Sequence, residues 1–196
     1  MMRRLTDRIW IVEGGKGGRY PYAHSLYVAD GGGILVDAGS DPGEMERLRT
    51  ERRIAAVAMS HYHEDHFTFL SLLPDTPVWT SAADAPAFES LETLLAWYGV
   101  LGNEWDAFYR KLFGGKFPFA PRTAARKFAD GEEVRFGRTR AIAVVAPGHT
   151  PGHLCLHFPD DGILFLGYYD LTEFGPWYGD APCGIDAFLR SALRLA

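Results

Sequence analysis

The run His-Tyr-His-Glu-Asp-His, which begins at His61, constrains this chain more than any other feature of its sequence. It follows the apolar run 54–59, which is typical of a buried strand, so the polar side chains come where a strand ends and a loop begins. Alternate side chains of an extended segment point the same way. We therefore expect His61, His63 and Asp65 to face one space, and His66 to join them where the chain turns.

Such a concentration of imidazoles indicates a metal site. A lone histidine is usually a surface or core residue, whereas clustered imidazoles are costly to bury unless something binds them. Imidazole and carboxylate ligands together suit zinc, iron or manganese. The remaining alternative is a degenerate site that keeps the pattern without the metal.

Length and composition predict one soluble domain spanning residues 1–196. The hydrophobic content is 47% and the charged content 23%, both ordinary for a globular protein. A net charge of −5 argues against a nucleic-acid partner, and no apolar run approaches the ~20 residues that a membrane helix needs. Two cysteines and a polar N-terminus without a secretory signal predict a reducing, cytoplasmic location. The expected partner is a small-molecule substrate.

Strands and helices alternate along the chain, which favours layered α/β architecture over an all-β sandwich. The segment of about 82–120 is longer and more aromatic than a simple connection needs, so it is predicted to be a helical insert. It serves either core or dimer packing, or a lid or pocket wall. Strands are predicted at 9–13, 25–29, 34–37, 54–59, 77–80, 127–128, 133–136, 140–145, 154–158 and 163–166, and helices at 42–53, 67–73 and 82–112.

Three motifs in order give the chain a family resemblance. They are Leu35-Val36-Asp37-Ala38-Gly39, the His-x-His-x-Asp-His run, and Pro147-Gly148-His149-Thr150-Pro151-Gly152-His153. Together they resemble the metallo-β-lactamase superfamily of metal-dependent hydrolases. The resemblance implies a four-layer αββα sandwich with metals at one edge of the two sheets. It also implies zinc, as one or two ions, with iron or manganese as alternatives.

The resemblance assigns roles by position. A first metal would be held by His61, His63 and His149, and a second by Asp65 and His66. Ligating histidines need an acceptor on the other ring nitrogen, and Asp37 is expected to supply one. His153 is expected to have an orienting or structural role, whereas His24 and His157 are expected to be structural.

The chain departs from the family pattern in two places. Tyr168 occupies the position of the aspartate that normally bridges the two metals, and Asp170, two residues on, is the candidate replacement ligand. No histidine follows His157, although the family usually supplies a late one. We therefore expect the last strand or strands of the fold to be absent, through truncation or through supply by a partner. Uncovered sheet edges would favour a homodimer.

The expected activity is hydrolysis of an ester, thioester, lactone or amide by a metal-activated water, with Asp65 orienting the nucleophile and moving protons. The run 147–151 resembles the thioester-hydrolysing glyoxalase II branch. Substrate is expected to contact the aromatic segment 97–109, Tyr168 and Trp177. The alternatives are a catalytically weak or inactive metal-binding or interaction module of the same fold, and a truncated fragment of an active hydrolase.

Overall fold

The computed structural model describes residues 1–169, 177 and 179–196. Eleven strands and seven helices lie within these residues. The strands are β1 (Met2–Arg4), β2 (Ile9–Val12), β3 (Ser25–Val28), β4 (Ile34–Val36), β5 (Ala56–Ala58), β6 (Val78–Ser81), β7 (Arg126–Phe128), β8 (Glu133–Phe136), β9 (Thr139–Val145), β10 (Leu154–Phe158) and β11 (Ile163–Phe165). The helices are α1 (Gly15–Gly18, a short turn), α2 (Pro42–Glu51), α3 (Glu64–Phe67), α4 (Ala85–Glu89), α5 (Leu91–Trp97), α6 (Asp106–Gly114) and α7 (Ile185–Leu195), with a 3₁₀ turn at Leu70–Leu72.

The strands form two sheets. The first has seven strands in the order β1-β2-β3-β4-β5-β6-β7, antiparallel as far as β4 and parallel from β4 onward. The second has four antiparallel strands in the order β11-β10-β9-β8. Because β4, β5 and β6 are parallel, their carboxyl ends lie at one edge of the first sheet, and the segments that follow them meet there.

The two sheets pack face to face through a shared apolar core. Strands of the first sheet contribute small and branched side chains such as Val36 and Ala58, and the second sheet contributes larger ones such as Phe136, Leu156 and Phe158. All of these are essentially inaccessible to solvent. Burial of this apolar surface stabilises the sandwich by about 25 cal/mol per Å².

Helices cover both outer faces. The outer face of the first sheet packs under α2, α4, α5 and α6, with Leu48, Phe88 and Phe113 buried. The outer face of the second sheet packs under α7, where Phe188 contacts Ala146, Cys155 and Tyr169. The result is the expected four-layer αββα sandwich.

Most of the predicted elements are present, with ends that match or differ by one or two residues. The predicted strand 54–59 is paired only at Ala56–Ala58, and β1, which lies at a sheet edge, was missed because its sequence Met-Arg-Arg has no apolar alternation. The predicted helix 67–73 was wrong in its start: α3 begins at Glu64, and the chain then tightens into the 3₁₀ turn. The predicted helical stretch 82–112 is three helices, with α5 and α6 separated by Gly99 and Gly102 at positive φ.

None of the helices in the described residues has both the length and the apolar character that crossing a membrane requires. The cytoplasmic location, the homodimer and the single domain over residues 1–196 stay predictions.

Candidate metal centre

Three imidazoles converge at the edge where the two sheets meet. His61 and His63 follow β5 of the first sheet, and His149 lies in the loop between β9 and β10 of the second. The Nε2 atoms of His61 and His149 are 3.1 Å apart, and Nδ1 of His63 is 2.9 Å from Nε2 of His149. One nitrogen from each ring lies within 4.8 Å of the other two, and all three side chains are buried.

The other nitrogen of each ring meets a different partner. Nδ1 of His61 is 2.8 Å from the Ser60 hydroxyl, which in turn donates to Asp37. Nδ1 of His149 bonds to the Trp177 carbonyl oxygen. Nε2 of His63 is 2.8 Å from Oδ2 of Asp180. Because these partners accept, each ring is held in the tautomer whose free lone pair faces the other two.

Burial keeps two of the imidazoles neutral. Desolvation, reinforced by the neighbouring imidazoles, lowers the pKa of both His61 and His149 well below the usual value. For His63, burial acts in the same direction, but the hydrogen bond and the charge of Asp180 outweigh it and raise the pKa. Neutral imidazole is the form that binds a metal.

Asp65 and His66 lie beside this cluster at the start of α3. Nδ1 of His66 is 2.8 Å from Oδ2 of Asp37, a carboxylate that also accepts from the amide and hydroxyl of Ser60. Nε2 of His66 is buried without a hydrogen-bond partner and lies 3.9 Å from Oδ2 of Asp65. Burial raises the pKa of Asp65.

This donor set fits a metal ion. The convergent nitrogens of His61, His63 and His149 are typical of a zinc or iron site with an open position. The unpartnered Nε2 of His66 and the Asp65 carboxylate lie beside this cluster, and a second ion there stays a prediction. The structure brings His61, His63 and His149 together, whereas Asp170 lies outside the described residues.

A buried carboxylate holds the loop that carries His149. Asp84, at the start of α4, is fully buried and accepts from the Thr150 hydroxyl and from the amide of Gly152, both at 2.6 Å. A Cβ at Gly152 would lie 2.0 Å from Oγ of Ser81, so only glycine lets the loop approach so closely. Desolvation raises the pKa of Asp84 to about 7.

Comparison with known families agrees with the fold and the motifs. The metallo-beta-lactamase superfamily matches residues 19–194, nearly the whole chain. This protein belongs to the metallo-beta-lactamase superfamily.

Individual relatives are similar to this chain in sequence and in fold. The chain is 25% identical over 151 residues to a hydroxyacylglutathione hydrolase of Cereibacter sphaeroides (strain ATCC 17025), a match that covers 74% of this chain but only 46% of that protein. A protein named TTHA1623, solved in a di-iron-bound form, is similar at 24% identity and a TM-score of 0.68 over 91% of this chain and 83% of that one. The subclass B3 metallo-beta-lactamase BJP-1 of Bradyrhizobium japonicum is similar at 19% identity and a TM-score of 0.67, over 98% and 72%.

Tyr168, which the family resemblance places at the position of the bridging aspartate, packs against the imidazole cluster. The phenol ring stacks on the His149 imidazole, with centroids 4.4 Å apart and planes 20° from parallel. Its centroid is 6.3 Å from those of both His61 and His66. Tyr168 therefore packs against both halves of the metallo-beta-lactamase-like centre.

His153 and Trp177 both lie next to the imidazole cluster. Nε2 of His153 is 2.8 Å from the Leu166 carbonyl oxygen, and burial lowers the pKa of this histidine to about 4. The His153 ring lies 4.9 Å from that of His61, so His153 packs against the His-x-His-x-Asp-His run. The Trp177 side chain is half-exposed, while its carbonyl faces His149.

Sequence reasoning missed three carboxylates that the structure places at this centre: Asp180, Asp84 and Glu64. Glu64 is buried within the His-x-His-x-Asp-His run and accepts from Tyr20 at 2.9 Å and from Tyr98. Its place inside the motif was a usable signal. Asp180 and Asp84 are isolated acids in turns, without a pattern that marks them.

Proposed function

We propose that this protein is a metal-dependent hydrolase whose foremost substrate class is thioesters, with esters, lactones and amides as the wider range. The observation that carries the proposal is the convergence of His61, His63 and His149, each with its outer nitrogen partnered. A curated relative named hydroxyacylglutathione hydrolase supports the thioester assignment. This chain spans less than half of that relative's length, so hydrolysis by this chain is a proposal and is not carried over from the whole relative.

The first ion would be held by His61, His63 and His149, and a second by Asp65 and His66. Zinc is the metal we propose; a di-iron-bound structural relative makes iron the alternative. When bound, such an ion supplies water whose pKa is lowered toward ~7 and polarises the substrate carbonyl.

Asp65 is the proton carrier in this proposal. The residue is 8% exposed, and its Oδ2 lies 3.9 Å from Nε2 of His66, so the carboxylate is shielded from bulk water at the centre. We assign it to take the proton of the attacking water and to deliver one to the leaving group. A thiolate leaves readily, so this second transfer matters more for esters and amides than for thioesters.

Aromatic rings lead outward from His63 and form the proposed substrate wall. The Tyr98 ring meets the His63 imidazole edge-on at 5.7 Å and contacts Tyr109 at 5.6 Å. Tyr109 contacts Phe108, which contacts Trp105, and the last two are each more than half exposed. A run of exposed aromatic side chains beside the centre fits a substrate whose acyl group is apolar.

Metal content and thioester turnover test the proposal together. Protein prepared without added metal is analysed by elemental mass spectrometry, and hydrolysis of a lactoyl or decanoyl thioester is followed by thiol release. His63→Ala should lose the first metal and the activity. His157→Ala is the matched control, because it removes an imidazole from β10 outside the cluster. Unchanged metal content in His63→Ala would refute the ligand assignment.

A second candidate function is a metal-binding module without turnover. The Tyr168 ring favours it, because a phenol replaces the carboxylate that normally holds the two metals together. This candidate predicts no more than one metal per chain and no hydrolysis of any of the four substrate classes. Two metals per chain with thioester turnover would exclude it.

A further inference from the structure

Asp180 is a buried carboxylate with three donors around it. Its side chain is about 5% exposed, and Oδ2 lies 2.8 Å from Nε2 of His63. The Tyr62 hydroxyl donates to the same oxygen at 2.9 Å, and Nε1 of Trp177 donates to Oδ1 at 2.9 Å. The carboxylate therefore accepts from three donors, one of which is an imidazole of the proposed metal site.

The contact between Asp180 and His63 determines which ring nitrogen of His63 is free to bind a metal. Because a carboxylate only accepts, Nε2 of His63 carries the proton and Nδ1 keeps its lone pair. Nδ1 is the atom that lies 2.9 Å from Nε2 of His149. A carboxylate on the outer nitrogen also makes the inner nitrogen a stronger electron donor to a metal.

Trp177, which donates to Asp180, also supports a second imidazole. It accepts from Nδ1 of His149 through its carbonyl oxygen, while its indole donates to Asp180. Ala181, next to Asp180, is fixed to the helical insert, since its amide donates to the Trp97 carbonyl at 2.7 Å. Trp177 and Asp180 together therefore support two proposed ligands, His149 and His63, that come from different sheets.

We propose that Asp180 is a positioning residue of the first metal site, which sets the tautomer and the basicity of His63. This inference rests on the proposed metal binding, but it does not require turnover. The competing explanation is that Asp180 only anchors Tyr62 and Trp177 and serves folding.

The test is the zinc affinity of the folded protein, measured by competition with a chromophoric chelator. Asp180→Ala removes the acceptor and should weaken zinc binding by about 10- to 100-fold, the range that outer partners of metal ligands typically contribute. Asp180→Asn keeps an acceptor without the charge and should fall between Asp180→Ala and the wild type. Asp186→Asn, an exposed acid on α7, should bind zinc as the wild type does.

Two further variants separate positioning from anchoring. Tyr62→Phe and Trp177→Phe each remove one donor to Asp180 and leave its contact with His63. The proposal predicts smaller losses of zinc affinity in both than in Asp180→Ala. The absorption spectrum of bound Co²⁺ should change in the Asp180 variants, because it reports the geometry of the ligands.

Affinities within twofold of the wild type for Asp180→Ala and Asp180→Asn would overturn the inference, even if both variants unfold at lower temperature. If Asp180→Ala does not fold, Asp180→Asn decides alone. A wild type that binds zinc without hydrolysing thioesters would refute the proposed activity and leave this test intact. A wild type that binds no metal would refute both.

Discussion

Replacing Asp84 with asparagine should make the metal-free protein more stable at alkaline pH. The carboxyl group is fully buried and has two neutral donors but no cation hydrogen-bonded to it, so desolvation raises its pKa from 3.8 to about 7. A folded-state pKa above the unfolded one contributes stability that is fully present below about pH 4. That stability is lost as the pH rises through about 7.

The size of the effect follows from the shift. One pKa unit is worth about 1.4 kcal/mol, so ionising Asp84 in the folded state costs up to about 4 kcal/mol. About 3 kcal/mol of this is lost between pH 5 and pH 8. Asparagine mimics the protonated acid, because its amide donates to the Thr150 hydroxyl while its oxygen accepts from the amide of Gly152. The Asp84→Asn variant therefore does not lose this stability as the pH rises.

Urea unfolding at pH 5 and pH 8, with a chelator present, measures the difference. The free energy of unfolding of Asp84→Asn, relative to that of the wild type, should rise by about 3 kcal/mol between the two pH values. Asp186→Asn, which changes an exposed acid, should show no such rise. Asp84→Ala should be less stable than Asp84→Asn at both pH values by about 1–3 kcal/mol, because Gly152 loses its acceptor. A gap between Asp84→Asn and the wild type that is constant or shrinks with pH would refute the reasoning.

Two other predictions concern the second metal and the substrate. Tyr168→Asp should raise the metal content toward two ions per chain, because it supplies a carboxylate between the proposed first and second metal positions. An unchanged number of ions per chain by elemental mass spectrometry would contradict this. Phe108→Ala should lower kcat/KM for decanoyl thioesters more than for acetyl thioesters, because it removes part of the exposed aromatic wall. The control is Leu193→Ala, which changes an exposed apolar residue on α7. Equal losses of kcat/KM on both substrates in Phe108→Ala would disprove a role in chain-length selection.

The sequence predicted what depends on short-range pattern. Strand alternation predicted that His61 and His63 would lie close together, and they do. Asp65 and His66 lie in α3, which begins at Glu64, so strand geometry did not predict their placement. The addition of His149 rested on the family resemblance, since 88 residues separate it from His61. The alternation of strands and helices predicted α/β layers, and the resemblance implied the four-layer architecture.

What the sequence could not reveal depends on contacts between distant turns. Asp180 is 117 residues from His63 along the chain and has no motif of its own, so only the folded arrangement shows the contact. Asp84 is hidden in the same way, 66 residues from Thr150. The partial break of the 82–112 stretch was visible in its glycines, but the contacts of Tyr98 with His63 and Glu64 were not.

The division of the three imidazoles between the two sheets has a mechanical consequence. His61 and His63 belong to the seven-stranded sheet, and His149 to the four-stranded one, so an ion bound by all three would act as a cross-link between the halves of the sandwich. Like any cross-link, the ion would close a long loop in the chain. As long as it stays bound, it would lower the conformational entropy of the unfolded chain. The free energy of metal binding would then also stabilise the two sheets against separation.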